Sequence, residues 1–333
     1  MQSMTIISPR SEINYWRSSM KTMKSIFWNT DENRLRAGWR LLIHLIIFLF
    51  FTVGQDALNT TYGALPAAGV IINLLYLASG LGSTWLIARF IDRRSFSDFG
   101  FHFDRKWWLD LGFGLALGAF MMTGIFLTMK TLGWLVITGP ASTNYNVPIV
   151  LAFLLRGVKH IVVSINEELA FRGYQLKNLS EGFSHKRVGP RGAILLTFLA
   201  SSTLFGMMHL ANGNATVFSM LTTICAGLLF CLPFLLTGEL GVSIGFHFTW
   251  NLFLATVYGF ALSGAAQGTR LISIQITGPD AWTGGAYGPE VGLISLVWAV
   301  AGCGLIFLWN KWLRGRVELH LPLARYSSSK CAT

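Results

Sequence analysis

Long apolar runs alternate with short polar segments along most of the 333-residue chain. A helix crosses a bilayer with about 20 apolar residues, and eight runs approach or reach that length. They predict an all-α fold, a polytopic membrane bundle of about eight transmembrane helices. The sequence shows no alternation of apolar and polar residues with a period of two, the pattern that would predict strands. The predicted spans are about 41–53, 66–88, 109–129, 157–176, 193–209, 216–236, 242–260 and 291–312.

Composition agrees with a membrane protein. The chain is 53% hydrophobic and only 12% charged, whereas soluble domains average about 25% charged residues. The net charge of +11 does not indicate nucleic acid, because the basic residues cluster at both ends and between spans rather than on a repeated basic and aromatic surface.

The distribution of positive charge predicts an orientation. Of 26 lysines and arginines, 22 fall on one side of the predicted membrane, and the positive-inside rule makes that side cytoplasmic. We therefore expect cytoplasmic tails at 1–40 and 313–333 around a membrane domain at 41–312. The expected location is a bacterial inner (plasma) membrane with both termini in the cytoplasm.

Two acidic residues stand apart from the other thirteen. Only Glu167 and Glu168 lie well inside a predicted span, whereas the rest, including Glu239 and Glu290, are expected in tails, loops or solvated helix ends. A charge at membrane depth costs about 2.5–3.5 kcal/mol even on a lenient scale. Such groups are expected to pair, to face water or to perform chemistry.

Spacing separates the roles of these two carboxylates. Glu168 and Arg172 are four residues apart, so they share a helix face and can form an ion pair. Glu167 points about 100° away from Glu168 around the helix. Glu168 is therefore the candidate for a structural ion pair, and Glu167 for chemistry.

Two later spans carry further polar side chains. His209 shares a face with Phe205 on the fifth span, and His247 shares a face with Asn251 on the seventh. Three helices can thus direct carboxylate, imidazole and carboxamide groups into one interior. His44, by contrast, is expected to be a packed, hydrogen-bonded residue without chemistry.

Three motifs lie in order on separate spans: Glu167-Glu168-x-x-x-Arg172-Gly173, Phe205-x-x-x-His209 and His247-x-x-x-Asn251. Together they resemble the CPBP intramembrane proteases, the CAAX-protease and bacteriocin-processing group also called the ABI family. The resemblance covers the motif core 147–255 of the membrane domain. It implies an intramembrane endopeptidase that cleaves a membrane-associated protein or peptide.

The resemblance also implies catalytic roles. Glu167 would be the base that activates water, and His209 would help to hold that water. His247 and Asn251 would donate hydrogen bonds to the developing oxyanion. The paired residue Glu168, with its arginine, would fix the helix and tune the electric field around the base.

The sequence does not decide whether the reaction depends on a metal ion. If zinc is present, its ligands would be Glu167, His209 and His247, which could leave an open coordination position. No HExxH motif is present, and Asn251 is a poor zinc ligand but a good oxyanion donor. We therefore favour water activated by a glutamate.

Other kinds of function compete with proteolysis. Buried glutamate and histidine also build proton relays, so a proton-coupled transporter is one alternative. A non-catalytic immunity or scaffold protein of the same fold is another. The expected surroundings are the lipid bilayer and a protein or peptide substrate, with no nucleic acid.

The predicted spans place the motif residues at different depths. At 1.5 Å per residue, Glu167 lies about 15 Å from the cytoplasmic end of its predicted span and His209 about 24 Å from the end of its own. His247 lies only about 8–10 Å from its end. Helix tilt, or helix ends that dip into a cavity, must bring them together.

Overall fold

The computed structural model describes residues 25–63 and 65–326 of the chain. It is 72% helical, and seven of the described helices are long and apolar enough to cross a membrane. The predicted helical membrane bundle is therefore confirmed. The predicted tails 1–40 and 313–333 lie partly outside the described ranges.

The bundle consists mainly of long helices. Its α-helices are α1 (Ala37–Tyr62), α2 (Pro66–Ile87), α3 (Arg105–Thr131), α4 (Ile149–Glu167), α5 (Lys177–Phe183), α6 (Gly189–Met208), α7 (Val217–Thr237), α8 (Gly241–Asn251), α9 (Asp280–Thr283) and α10 (Leu293–Arg314). Three π-helical segments extend them: Ala88–Asp92 after α2, Glu168–Leu176 between α4 and α5, and Leu252–Val257 after α8. The two longest connections follow α3 and the π-helical segment after α8.

Two short pairs of strands differ from the strand-free prediction. β1 (Trp28–Asn29) pairs with β2 (Arg34–Leu35), and β3 (Leu135–Gly139) pairs with β4 (Ser273–Ile276), both antiparallel. β3 and β4 are far apart in sequence, so no local pattern indicates their pairing. They join the end of α3 to the loop before α10.

Local signals explain where several helices begin and end. The Asp104 side chain accepts a hydrogen bond from the Trp107 amide at the start of α3. Thr216 and Ser219 form a reciprocal capping box at the start of α7. Gly238 then ends α7 in the left-handed conformation, with φ of 72°, which glycine adopts without steric cost.

Arg34, just before α1, stacks on the ring of Tyr326 with 3.5 Å from its guanidinium carbon to the ring centroid, so the described chain begins and ends at the same end of the bundle. We call this the terminal end, and the opposite one the far end. The predicted seventh span, 242–260, corresponds to α8 and its π-helical extension. This segment is shorter than the seven long helices and is buried on nearly all sides.

Glycines bring α3 and α8 into backbone contact. A Cβ atom on Gly114 would overlap the carbonyl oxygen of Val242, and one on Gly245 would overlap that of Leu111. Small residues at such positions let membrane helices approach closely. Gly114 and Gly118, four residues apart on α3, both lie against the backbone of α8 and so position this helix, which carries two of the motif residues.

The fourth predicted span is too short. With its π-helical segment, the helix that carries Glu167 runs unbroken from Ile149 to Phe183, rather than over 157–176. Glu167 therefore lies about 24 Å from the terminal end of this helix. His209 follows the start of α6 by about 30 Å, so the two residues come to similar depths.

His247 reaches this depth by a different route. The turn between α7 and α8 lies inside the protein, where the Leu240 amide donates to the carbonyl of Gly100 at 3.1 Å. The His320 amide donates to the carbonyl of Leu235 at 2.8 Å. Segments from two other parts of the chain thus cover this turn, and α8 begins below the terminal surface.

Buried charges tie the terminal end together. Arg34 contacts Glu181 at 2.8 Å, Arg94 contacts the same carboxylate at 2.6 Å, and Arg40 contacts Asp92 at 2.9 Å. All five side chains are almost completely buried. The chain just before α1 is therefore packed into the bundle through ion pairs.

We predict that Gly245→Ala destabilises the protein. The added methyl group meets the backbone of α3, which cannot move aside as a flexible side chain could. Overpacking of this kind costs about 1–3 kcal/mol. The midpoint of thermal unfolding in detergent should fall relative to wild type.

Gly112→Ala is the matched control, because a Cβ at this α3 position has no neighbour within 4 Å. It should keep the wild-type midpoint or raise it slightly through helix propensity. Equal midpoints for Gly245→Ala and Gly112→Ala would contradict the close α3–α8 packing.

Candidate active site

Glu168 is the buried carboxylate at the centre of the site. It begins the π-helical segment after α4 and is fully buried. One oxygen, Oε1, accepts hydrogen bonds from Nδ1 of His247 at 2.7 Å and from Nη1 of Arg172 at 3.2 Å. The ion pair expected from the i,i+4 spacing is present, and a second helix shares it.

Arg172 is enclosed by aromatic rings as well as by its carboxylate. Its guanidinium carbon lies 4.8 Å from the ring centroid of Phe205 on α6 and 5.2 Å from that of Phe230 on α7. Such contacts between a cation and aromatic rings are attractive. Arg172 thereby connects the helix of the two glutamates to two neighbouring helices.

The contact with Glu168 determines the tautomer of His247. A carboxylate can only accept a hydrogen bond, so Nδ1 of His247 carries the hydrogen. Nε2 faces the second glutamate, at 4.0 Å from Oε2 of Glu167. In the neutral imidazole, Nε2 therefore presents a lone pair towards Glu167.

Glu167 is the accessible carboxylate of the pair. Its side chain is 30% exposed, whereas that of Glu168 is 0% exposed. Among the described residues, its one close charged neighbour is His247, and no hydrogen bond occupies its oxygens. Glu167 is free to bind water or a substrate group.

His209 follows the last turn of α6. Its Nδ1 lies 2.7 Å from the carbonyl oxygen of Phe205, which can only accept, so Nδ1 carries the hydrogen and Nε2 is left with a lone pair. Glu167 and His247 are close enough to interact electrostatically with its imidazole. Both histidines thus have a fixed tautomer.

Asn251 lies one turn after His247 on α8 and is 6% exposed. Its carboxamide makes no hydrogen bond to another described residue. Its donors are therefore available, but the structure does not join Asn251 directly to the other motif residues. Glu167, Glu168, Arg172 and His247, by contrast, form one contiguous group.

The candidate zinc ligands do not form a metal site as they are placed. Within 25–63 and 65–326, no group of three or more histidine, cysteine, aspartate or glutamate side chains is arranged to hold a metal ion. Glu167, His209 and His247 therefore do not fit a zinc centre in this arrangement. The chemistry proposed below uses the side chains alone.

Neighbouring polar residues include some with purely structural contacts. His44 stacks on Tyr174 with ring centroids 3.9 Å apart and lies 3.2 Å from the hydroxyl of Thr84, so it is packed and hydrogen-bonded as expected. His160, which lies roughly on the face of Glu167, contacts the Thr256 hydroxyl at 3.1 Å.

Glu290 was expected to be a solvated helix-end charge, and this prediction is wrong. It lies in a 3₁₀ turn before α10, is half-buried, and accepts a hydrogen bond from the Ser263 amide at 2.6 Å. It also interacts electrostatically with His247 and Glu167. Its sequence neighbourhood of glycine and proline has no apolar periodicity that would indicate burial.

The loops at the far end connect this glutamate to the end of α6. The Asn212 side chain donates to the hydroxyl of Tyr287 at 3.1 Å, and that of Asn214 donates to the carbonyl of Gly264 at 2.9 Å. The glycine-rich stretch 261–289 therefore packs against the residues that follow His209 in the chain.

The fold and these side chains define the class: a helical membrane protein with a buried cluster of carboxylate, imidazole and guanidinium groups. Residues 147–253, about a third of the chain, match the family model for type II CAAX prenyl endopeptidase Rce1-like proteins. This match confirms the resemblance predicted from the three motifs. No curated protein and no solved structure gives a significant match to the chain.

We predict that Glu290 makes stability depend on pH. Burial raises its pKa from 4.5 to about 7, although the amide of Ser263 opposes this shift. Between these values the folded protein binds more protons than the unfolded chain, so stability falls as pH rises from 4.5 to 7. The loss is on the order of 3 kcal/mol.

Thermal unfolding of wild type, Glu290→Gln and Asp280→Asn between pH 5 and pH 8 tests this. Glu290→Gln should flatten the decline, and Asp280→Asn, which removes an exposed carboxylate from the same loop region, should retain it. Identical pH profiles for wild type and Glu290→Gln would contradict the prediction.

Proposed function

We propose that the protein is an intramembrane endopeptidase that hydrolyses a peptide bond with water activated by Glu167. One observation carries this proposal: of two adjacent carboxylates at membrane depth, one is buried and paired through Oε1 with Arg172 and His247, and the other is accessible. The match of 147–253 to a CAAX-type endopeptidase family supports it.

The first chemical step is attack by water. Glu167 takes a proton from a water molecule whose second hydrogen is accepted by Nε2 of His209. The hydroxide oxygen forms a bond to the carbonyl carbon of the substrate, and the carbonyl becomes an oxyanion. A positioned base of this kind contributes about 10²–10⁴-fold to the rate.

The oxyanion needs hydrogen-bond donors. The free carboxamide of Asn251 supplies one. His247 supplies a second after its Nε2 has taken a proton from bulk solvent, before the attack, and Glu168 stabilises the resulting imidazolium through Nδ1, as the carboxylate of a catalytic triad does. Glu167 then passes its proton to the leaving amine, and the carbon–nitrogen bond breaks.

The family match supports a membrane-associated protein or peptide as the substrate. Lipidated C-terminal peptides are the first substrates to test, since the matched family is named for CAAX prenyl endopeptidases. The charge distribution supports an inner-membrane orientation with both termini in the cytoplasm.

Glu167→Gln should abolish proteolysis without unfolding the protein. The amide cannot accept the proton of water, but it keeps the size of the side chain and disrupts no ion pair on Arg172. We expect a loss of about 10²–10⁴ in kcat and a wild-type unfolding midpoint. Cleavage of a quenched peptide library and thermal unfolding in detergent measure both.

The adjacent variant, Glu168→Gln, is the matched comparison. It leaves the buried guanidinium of Arg172 without a counter-charge, which costs about 3–5 kcal/mol, so it should lower the unfolding midpoint. Normal turnover by Glu167→Gln would contradict the assignment of Glu167 as the base. If the wild-type protein cleaves no member of the library, the result favours a non-catalytic scaffold protein of the same fold.

Asn251 discriminates between an oxyanion donor and a metal ligand. Removal of one such donor lowers kcat by about 10²–10³, so Asn251→Ala should show this loss with little change in KM. Asn251→Asp should be at least as damaging, because it sets a negative charge against the oxyanion.

Bound zinc and kcat should be measured for both variants, with and without chelator. Aspartate is a better zinc ligand than asparagine, so a zinc enzyme would keep its activity in Asn251→Asp and hold the metal more tightly. An active, zinc-loaded Asn251→Asp protein would overturn the metal-free mechanism.

A further inference from the structure

A small polar cavity lies at the far end of the bundle, apart from the candidate active site. Its volume is about 120 Å³, enough for several water molecules or one phosphate group. It is formed where α1 ends, α2 begins and α4 passes beside them. Its lining includes Asn59, Gly69, Asn73, Tyr145, Arg156 and Lys159.

Two cations line this cavity without a carboxylate among the lining residues. Arg156 is 8% exposed, and its Nη2 contacts Oε1 of Gln267, while Nε is buried without a partner. Lys159 makes no hydrogen bond or ion pair with another described residue. The nearby carboxylate of Asp56 is exposed and does not line the cavity.

The neutral groups of the cavity add another free donor. Nδ2 of Asn59 is buried without a partner. The carboxamide of Asn73 is already used, because it donates to Gly69 and accepts from Gln55. These unpaired groups are therefore hydrogen-bond donors. Two of them, on Arg156 and Lys159, belong to charged side chains.

The cavity lies near the far ends of the helices that line it, and membrane-spanning helices end close to the lipid headgroups. Arg156 lies about 10 Å from the far end of α4, and Asn59 about 5 Å from that of α1. Leu58, Ile71 and Leu154, on the same turns of the lining helices, are exposed apolar residues. An anion with an apolar tail suits these surroundings better than a freely soluble one.

We infer that this cavity binds the phosphate of a phospholipid headgroup. Arginine and lysine form strong charge-assisted hydrogen bonds with phosphate groups, including the phosphate of a lipid headgroup. The acyl chains would lie on the apolar side chains beside the cavity. Lys159 is eight residues before Glu167, about 12 Å along the helix, so the inference does not depend on the proposed protease activity.

The test measures binding to the full-length protein in dodecyl maltoside, a detergent without phosphate. Dioctanoyl phosphatidylglycerol, dioctanoylglycerol and inorganic phosphate are titrated separately, and the shift of the unfolding midpoint is followed. We expect a saturable stabilisation by phosphatidylglycerol, a much weaker effect of inorganic phosphate, and none from dioctanoylglycerol.

Three variants locate the site. Lys159→Gln and Arg156→Gln should each weaken phosphatidylglycerol binding about tenfold or more. Lys130→Gln is the matched control, because it also removes one cation from the far end but at an exposed position at the end of α3. If Arg156→Gln does not fold, Lys159→Gln decides the question.

Several results would overturn the inference. Equal stabilisation by dioctanoylglycerol would show that acyl chains, not phosphate, are bound. Inorganic phosphate as effective as the lipid would indicate a free-anion site. Wild-type affinity in Lys159→Gln would place the lipid elsewhere. Stabilisation by a peptide with a free C-terminal carboxylate, but not by its amide or by phosphatidylglycerol, would identify a site for a peptide terminus.

Discussion

The site depends on one buried oxygen, Oε1 of Glu168, which accepts from both His247 and Arg172. A carboxylate without partners at this depth would be costly, so its two donors stabilise it and are themselves held in place. The bond to His247 links α8 to the helix of the glutamates and decides which imidazole nitrogen is free. Glu168 makes the structural contacts with His247 and Arg172. The carboxylate of Glu167 therefore stays accessible for chemistry.

Helix packing supplies the second constraint, which is depth. α8 is short, yet His247 meets the glutamates because the turn before α8 is buried beneath Gly100 and the segment at His320. Close contact with α3 through Gly114 and Gly245 holds α8 laterally. These backbone contacts, which involve no charged side chain, place α8 beside the glutamates.

Charges divide into separate groups along the membrane normal. At the terminal end, Arg34 and Arg94 share Glu181 in a buried network. At the far end, Arg156 and Lys159 face a cavity with no carboxylate in its lining. The cations of the first group have a carboxylate partner within the chain, and those of the second have none in the cavity lining, which is why only the second suggests an anionic ligand. The candidate active site lies between these groups.

Much of this protein was determined by local sequence. Hydrophobic run length predicted the membrane bundle, and i,i+4 spacing predicted the pair of Glu168 with Arg172, because both depend on the geometry of single helices. The tautomer of His247, the burial of Glu290 and the pairing of β3 with β4 required the tertiary structure. Each of these arises between segments far apart in the chain, where no periodicity of either segment specifies the partner or the depth at which they meet.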